Sequence, residues 1–358
     1  MGVYVDTGLM RKGETEEFQL MLSTLGLSER LRVRNESRRF LTALAGVDEP
    51  EEKRRIIGRL FVDVQREAMQ EYGVDEDHWL LGQGTIYPDT IESGGKTGKA
   101  ALIKTHHNRC KEIRCLMEKG RVIEPLAEFY KDEVRHLGEA LGIDRRLTQR
   151  WPFPGPGLAI RCLCNKGEES SARHLKLPKR YSDYEAVTLP IRAVGVQGDA
   201  RTYRQVVAIR GPIDYGELQD ISTMLCNNDK LHNRVIYLIS ARYPDFVKAR
   251  TKKGVFIDHS RLSKLREADF VARELMEEQG LMESVWQFLV VLIPLSLANG
   301  ESIVLRPVNS QDGMTANFAR LHESVLKEIG NRILARIPAV DGVFLDITDK
   351  PPATIEWE

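Results

Sequence analysis

Lys104, His106 and His107 stand together directly after the apolar run 100–103. A lysine and two histidines at the end of a strand could offset phosphate charge or carry a proton near neutral pH. Adjacent histidines on an extended chain point to opposite sides, which argues against a two-histidine metal site; solvated loop histidines are the plain alternative. Just upstream, residues 82–96 form a glycine-rich stretch with Asp89 and Glu92 three apart, followed by Lys96 and Lys99. A loop of this kind at the C-terminal edge of a parallel sheet is where α/β proteins bind ligands. Its paired carboxylates and lysines suit either a metal–phosphate lid or a solvated surface loop.

The second stretch able to build a site is Trp151-Pro-Phe-Pro-Gly-Pro-Gly-Leu-Ala-Ile-Arg161, with three prolines and two glycines within 152–157. Proline fixes φ and breaks helices and inner strands, while glycine allows close backbone approach. The run passes into an apolar segment and an arginine, which favours a built turn over a stiff linker. It also separates two sequence patterns, and domain junctions commonly hold ligands.

Before the junction the pattern is strand and helix. Residues 1–6 read as a short buried strand, with Thr7-Gly8 as its turn. Phe18, Met21, Leu22 and Leu25 lie at helical spacing in 14–25, and Ser37 can cap a helix through Leu44. Pro50, Glu51 and Glu52 suit a helix start, followed by an apolar face of Ile56, Ile57, Leu60, Phe61, Val64 and Ala68. A strand is expected at 79–81, a charged helix at 109–119, a strand at 122–125 and a helix at 132–141 with Val134, Leu137 and Leu141 inward.

After the junction an internal repeat emerges. The first copy runs from 189–203 through a strand at 205–210, a helix at 215–225 and a strand at 234–239; the second has strands at 303–308 and 342–347 around a helix near 320–337. Each copy is expected to form a small sheet backed by helices, with open edges suited to self-association. The last stretch, Asp349-Lys-Pro-Pro-Ala-Thr-Ile-Glu-Trp-Glu358, reads as a pinned terminus rather than a fraying one.

The totals narrow the function. Lys+Arg and Asp+Glu are 52 each in 358 residues, so the net charge is zero and general polyanion binding is disfavoured. RNA binding through the repeats would rest on their shape alone. No apolar run approaches membrane-spanning length, no signal peptide opens the chain, and five cysteines without paired CxxC motifs read as reduced thiols of a cytoplasmic protein.

Seven segments in order resemble GMP synthetase: 6–14, 50–58, 83–89, 103–108, 152–161, 195–199 and 350–358. The resemblance implies an α/β fold: an incomplete parallel-sheet N-type ATP pyrophosphatase (adenine nucleotide alpha hydrolase-like) domain at 1–150, then an α+β dimerisation domain with two β-α-β repeats. That second part divides into the junction with a first subdomain, 151–285, and a second subdomain with an XMP-binding C-terminus, 286–358. The implied activity is a carbon–nitrogen ligase reaction, making GMP from xanthosine monophosphate (XMP), ATP and ammonia through an adenylyl-XMP intermediate. ATP and Mg²⁺ are the implied cofactors. The partners are a second copy of the chain and a glutamine amidotransferase, domain or subunit, that supplies ammonia, with no nucleic acid and no membrane.

By the same resemblance, Lys104, His106 and His107 stabilise the transferred phosphoryl group, with Asp89 and Glu92 on a closing lid. Gln83, Gly84 and Thr85 lie along the nucleotide. Arg39, Pro154, Gly155, Gly157, Arg201, Gln287, Lys350, Ile355 and Glu356 face XMP, with Lys350 on its phosphate and Glu356 accepting from purine or ribose. One departure is severe: the family's phosphate-binding loop, Ser-Gly-Gly-Val-Asp-Ser, occurs nowhere in this sequence. Its amides would hold the ATP pyrophosphate. The expectation is therefore a fragment inactive alone, a subunit completed by another chain, or a non-catalytic dimeric nucleotide-binding module.

Overall fold

The computed structural model describes residues 1–75, 78–87, 116–197, 200–228, 231–311 and 313–358. The chain divides into two compact units. One comprises Met1–Val5, Glu16–Arg34 and Ile57–Arg150; the other comprises Asp6–Thr15, Asn35–Ile56 and Trp151–Glu358.

In the first unit the ladders are short. Strand β1 (Gly2–Asp6) pairs with β2 (Leu31–Asn35), and β3 (Leu81–Gly82) pairs in parallel with β4 (Val122–Ile123). Helix α1 (Glu14–Thr24) brings Phe18 against Tyr4, ring centroids 5.0 Å apart. Helix α2 (Ser37–Ala43) belongs to the second unit, and α3 (Pro50–Glu71) carries the dividing line within it. Pro50 opens α3 with Glu51 and Glu52 in its first turn, as the sequence indicates. A 3-10 turn (Ser28–Arg30) and helices α4 (Lys131–Ala140) and α5 (Arg145–Thr148) also belong to this unit.

Several local expectations change here. Strand β1 is half-buried to exposed rather than buried, because its described partner is a single short strand. Glu36, not Ser37, holds the N-cap position of α2, and Ser37 N donates to Asn35 Oδ1. Phe61 is exposed although Ile57, Val64 and Ala68 on the same helix are buried. Trp79 and Leu80 are exposed and precede β3, and Leu141, the C-cap of α4, is also exposed.

The second unit is built on one eight-stranded sheet. Its strands are β5 (Arg173–Leu175), β6 (Glu185–Gln197), β7 (Ala200–Arg210), β8 (His232–Ala241), β10 (Gln287–Ile293), β12 (Glu301–Asn309), β13 (Asn317–Phe318) and β14 (Val340–Asp346). Strands β9 (Arg250–Thr251) and β11 (Leu295–Ser296) pair separately. The order is β10-β12-β14-β8-β7-β6-β5, with β13 on β12. Helix α6 (Tyr215–Asn228) connects the parallel neighbours β7 and β8, and α8 (Glu323–Arg336) connects the parallel neighbours β12 and β14. Helix α7 (His259–Glu278) lies between the copies in sequence and buries Leu262, Leu265, Val271 and Leu275.

The two β-α-β copies are therefore present, but they do not form two small sheets. Each copy adds an antiparallel strand on its outer side, β6 or β10, and the inner strands β8 and β14 pair antiparallel with Phe344 opposite Leu238. Joining there removes two edges that would otherwise expose unpaired backbone groups. Strands β10 and β14 are buried at every position, as the apolar run Phe288–Ile293 requires of β10. The core gathers Val206, Ala208, Ile236, Leu238, Val291, Val304, Phe344 and Trp357.

Candidate functional site

The Pro/Gly junction is a folded turn inside the second unit. Gly157 adopts φ +62°, and a Cβ there would stand 2.5 Å from the Leu9 carbonyl oxygen. Only glycine tolerates both conditions. The turn closes with Gly157 N donating to Pro154 O and Leu158 N donating to Leu9 O, both at 2.8 Å. Residues 157–161 are all buried, while Gly155 is exposed and Pro154 half-buried.

Two guanidiniums converge on Phe153, Arg11 at 4.5 Å and Arg161 at 5.3 Å from the ring centroid. Arg11 lies 3.5 Å from Asp269, and burial, with Arg161 and Arg273 adding to it against Asp269, pulls its pKa down to about 10. Arg161 is wholly buried and grips Glu356 with both arms, Nε at 3.1 Å and Nη2 at 2.8 Å. Gln287 is buried and donates to Pro152 O at 3.2 Å.

The C-terminal tail is bound back onto the sheet. Val194 N donates to Trp357 O at 3.0 Å, and Val196 N donates to Pro352 O at 2.7 Å. A Cβ on Gly195 would meet Pro352 O at 2.7 Å, so the tail crosses β6 where there is no side chain. Lys350 exchanges backbone hydrogen bonds with Ala316 at 2.7 and 3.1 Å, and its Nζ donates to Gly313 O at 2.5 Å.

Buried charge holds the rest of the tail. Asp346 Oδ2 accepts from Arg234 Nη1 at 2.6 Å and from Trp357 Nε1 at 2.9 Å, and pairs with Arg306 Nη1 at 2.9 Å; all three charged side chains are fully buried. Lys53 is equally buried, with Nζ on Ala159 O, Cys162 O and, at 2.5 Å, Glu358 Oε2. Burial disfavours its charge, but the Glu358 carboxylate together with Cys164 and Cys162 raises the Lys53 pKa. Arg54 donates to the Glu358 carbonyl.

Of the residues expected to face XMP, the structure links Glu356 to the junction through Arg161, and Gln287 to it directly. Pro154, Gly155 and Gly157 lie in the junction turn itself. Ile355 is half-buried, with its carbonyl on Arg306 Nε at 3.0 Å. Arg201 is exposed and pairs with Glu51 at 2.7 Å, and Arg39 lies 3.8 Å from Glu36. Lys350, Arg39 and Arg201 reach Gly313, Glu36 and Glu51 in turn.

In the first unit, Gln83 N donates to Ile123 O at 2.9 Å, Gly84 is exposed, and buried Thr85 donates its hydroxyl to Glu124 at 2.6 Å. Asp89, Glu92, Lys104, His106 and His107 lie outside the described residues. Among the described residues no cluster of three His, Cys, Asp or Glu side chains could hold a metal ion, and no helix is long and apolar enough to cross a membrane.

Sequence reasoning missed Lys53, Arg161 as the partner of Glu356, Arg234, Arg306 and Asp346. A signal existed for the last three: each directly adjoins a run of three apolar residues, Val-Ile-Tyr after Arg234, Ile-Val-Leu before Arg306 and Val-Phe-Leu before Asp346. Charges so placed are rarely buried unless paired.

These features define a mixed α/β protein whose C-terminal tail is fastened beside a proline–glycine turn. Residues 170–248 and 274–357 match the family model described as GMP synthase C terminal domain. The chain is also 43% identical over its whole length to a probable glutamine-hydrolyzing GMP synthase of Leptospira interrogans. It is 32% identical over its whole length to the GMP synthase of Dictyostelium discoideum, and 36% identical over 99% of its length to that of Streptomyces avermitilis. The chain is thus a homologue of the GMP synthases throughout. It spans 59% of the length of the first two relatives and 52% of the third.

Proposed function

We infer that this chain carries the ATP-pyrophosphatase and dimerisation parts of a glutamine-hydrolysing GMP synthase, acting in the cytoplasm as a homodimer. The observation that carries this reading is similarity to GMP synthases along the entire chain, both sides of the junction included. In the reaction, the C2 oxygen of XMP attacks the α-phosphorus of ATP and pyrophosphate leaves. Ammonia then adds at C2, and AMP departs with that oxygen to leave GMP. Ammonia comes from a glutamine amidotransferase.

Negative charge grows on the α-phosphate oxygens during the first step, so Lys104, His106 and His107 act as electrostatic stabilisers. Mg²⁺ bound with ATP would supply further charge neutralisation, and Asp89 and Glu92 would belong to the lid that closes over the phosphates. Gln83, Gly84 and Thr85 run along the adenine nucleotide in an N-type pyrophosphatase fold. XMP is taken by Pro154, Gly155, Gly157, Gln287, Lys350, Ile355 and Glu356, together with Arg39 and Arg201. Lys350, Glu356 and Arg201 each hold an internal partner in this structure, so binding exchanges those contacts for contacts to the nucleotide.

A second reading is a nucleotide-binding module that needs another chain for turnover. One experiment separates them: calorimetric titration of the chain with XMP, and AMP release with ATP, Mg²⁺ and ammonium, with and without XMP. XMP binding with XMP-dependent AMP supports the first reading. Binding without AMP supports the second, and no binding overturns both.

A further inference from the structure

Ala353 and Trp357 are fully buried and would anchor the tail by packing alone. Between them lie Thr354, Ile355 and Glu356, all half-buried, and there the buried arginines act. Arg234 Nη2 donates to Thr354 O and Thr354 Oγ1 at 2.9 Å and to Glu356 O at 2.7 Å. Arg306 donates to Ile355 O at 3.0 Å, Thr354 O at 2.8 Å and Thr348 O at 3.0 Å. The Thr354 hydroxyl also reaches Val194 O at 3.0 Å and Glu356 O at 2.5 Å.

Charge explains why the carbonyls turn inward. Arg234 and Arg306 meet one buried carboxylate, Asp346, which leaves an excess positive charge inside the protein. A buried cation needs compensating acceptors, and the carbonyls of 354, 355 and 356 supply them. Three successive carbonyls held by two fixed guanidiniums restrain the peptide planes, and so restrain where the Ile355 and Glu356 side chains leave the backbone. Packing at Ala353 and Trp357 would hold the tail in place without restraining those planes.

We propose that Arg234 and Arg306, working through Thr354, are positioning residues that present Ile355 and Glu356 to the acceptor nucleotide. They touch the tail and not the nucleotide. The proposal rests on the XMP reading above for its ligand, while the orientation itself has an independent readout. Pre-set geometry of this kind spares a bound ligand the cost of ordering its own contacts.

The test uses the full chain with Thr354→Val, which removes the hydroxyl, and Thr354→Ser, which keeps it. XMP affinity is expected to fall roughly tenfold in Thr354→Val, the effect of about one hydrogen-bonded position, and to return in Thr354→Ser. The melting midpoint is expected to stay near wild type in both. Unchanged affinity in Thr354→Val, or a loss that tracks the melting midpoint and is not rescued by serine, overturns the proposal. The second readout is exchange of the Arg161 Nε–H, expected to quicken in Thr354→Val while β8 amides stay protected. Wild type that binds no XMP defeats the functional reading; unaltered Arg161 exchange defeats the positioning claim whatever binds.

Discussion

The two units solve the problem of cohesion differently. The second buries both faces of the strands β8, β10, β12 and β14 within one eight-stranded sheet and adds buried ion pairs at Lys53–Glu358 and Arg234–Asp346–Arg306. In the first, the buried apolar side chains among the described residues are Ile57, Val64 and Ala68, while Leu20, Leu80, Ile123 and Leu141 are at least half exposed. Stability is not uniform in such a chain, and openings follow local burial. The residues proposed for XMP lie on the cohesive unit; Gln83, Gly84 and Thr85 lie on the looser one. Under the proposed assignments, one substrate would be placed firmly and the other handled adaptably.

Asp346→Ala should have the largest effect. It leaves Arg234 and Arg306 buried without a carboxylate, and removing one partner of a buried pair costs about 3–5 kcal/mol. Urea unfolding read on the second unit should show it, and a loss below about 1 kcal/mol would mean the tail carbonyls alone compensate the cations.

Phe344→Ala against Val64→Ala tests the contrast directly. Phe344 is fully buried mid-sheet and stacks with Phe246 at 6.5 Å, so its truncation should cost about 3–5 kcal/mol. Val64 is equally buried but in the smaller core, and losing two methyl groups should cost about 1.5 kcal/mol. Equal losses would break the distinction between the units. Gly157→Ala should follow at on the order of 2 kcal/mol, because a left-handed backbone and the Leu9 carbonyl both oppose a Cβ.

Much of this architecture was legible in the sequence. The α3 start, the strand–helix–strand copies and the pinned tail all follow from proline placement, apolar runs and turn chemistry. The merger of two sheets into one was not, because it depends on β8 meeting β14 across about a hundred residues, and periodicity says nothing of partners so distant. Helix α7 went unassigned although Leu262, Leu265, Val271 and Leu275 have helical spacing; its many charges masked the stripe. In the site, the charges that hold the tail were illegible for a related reason. A charged residue reads as solvent-facing until the fold supplies partners, as Glu358 does for Lys53 and Asp346 for Arg234.

Alkaline pH should pull the units in opposite directions. Burial, opposed by Arg261, pushes the Cys162 thiol in the second unit up to about 12. The folded state then keeps a proton that the unfolded chain releases near 9, so stability falls as pH rises from about 9 to 12. Burial, then Arg135, brings Lys131 in the first unit down to about 8. There the unfolded state keeps the proton longer, so stability rises from about pH 8 to 10.5. Pulse proteolysis at pH 8 and 10, with cleavage sites assigned to each unit, should show the second unit losing protection and the first gaining it. A parallel change in both would mean that one cooperative transition governs the chain.

The smallest expected change in stability separates holding from recognising within the second unit. Arg201 and Glu51 form a close pair, yet their side chains are 50% and 64% exposed. Water and salt screen such a pair, and its contribution to folding is about 0–1 kcal/mol. Arg201→Ala should therefore leave the melting midpoint where it is. If Arg201 serves XMP, the same substitution should weaken XMP binding, because its guanidinium faces a phosphate-bearing ligand. Glu51→Ala should do the opposite, releasing Arg201 from its internal partner and leaving affinity unchanged or higher. Equal, unaltered titrations for both variants would reduce the pair to surface decoration. Opposite shifts with constant stability would show that the cohesive unit recognises its ligand with exposed charges, while its buried charges do the holding.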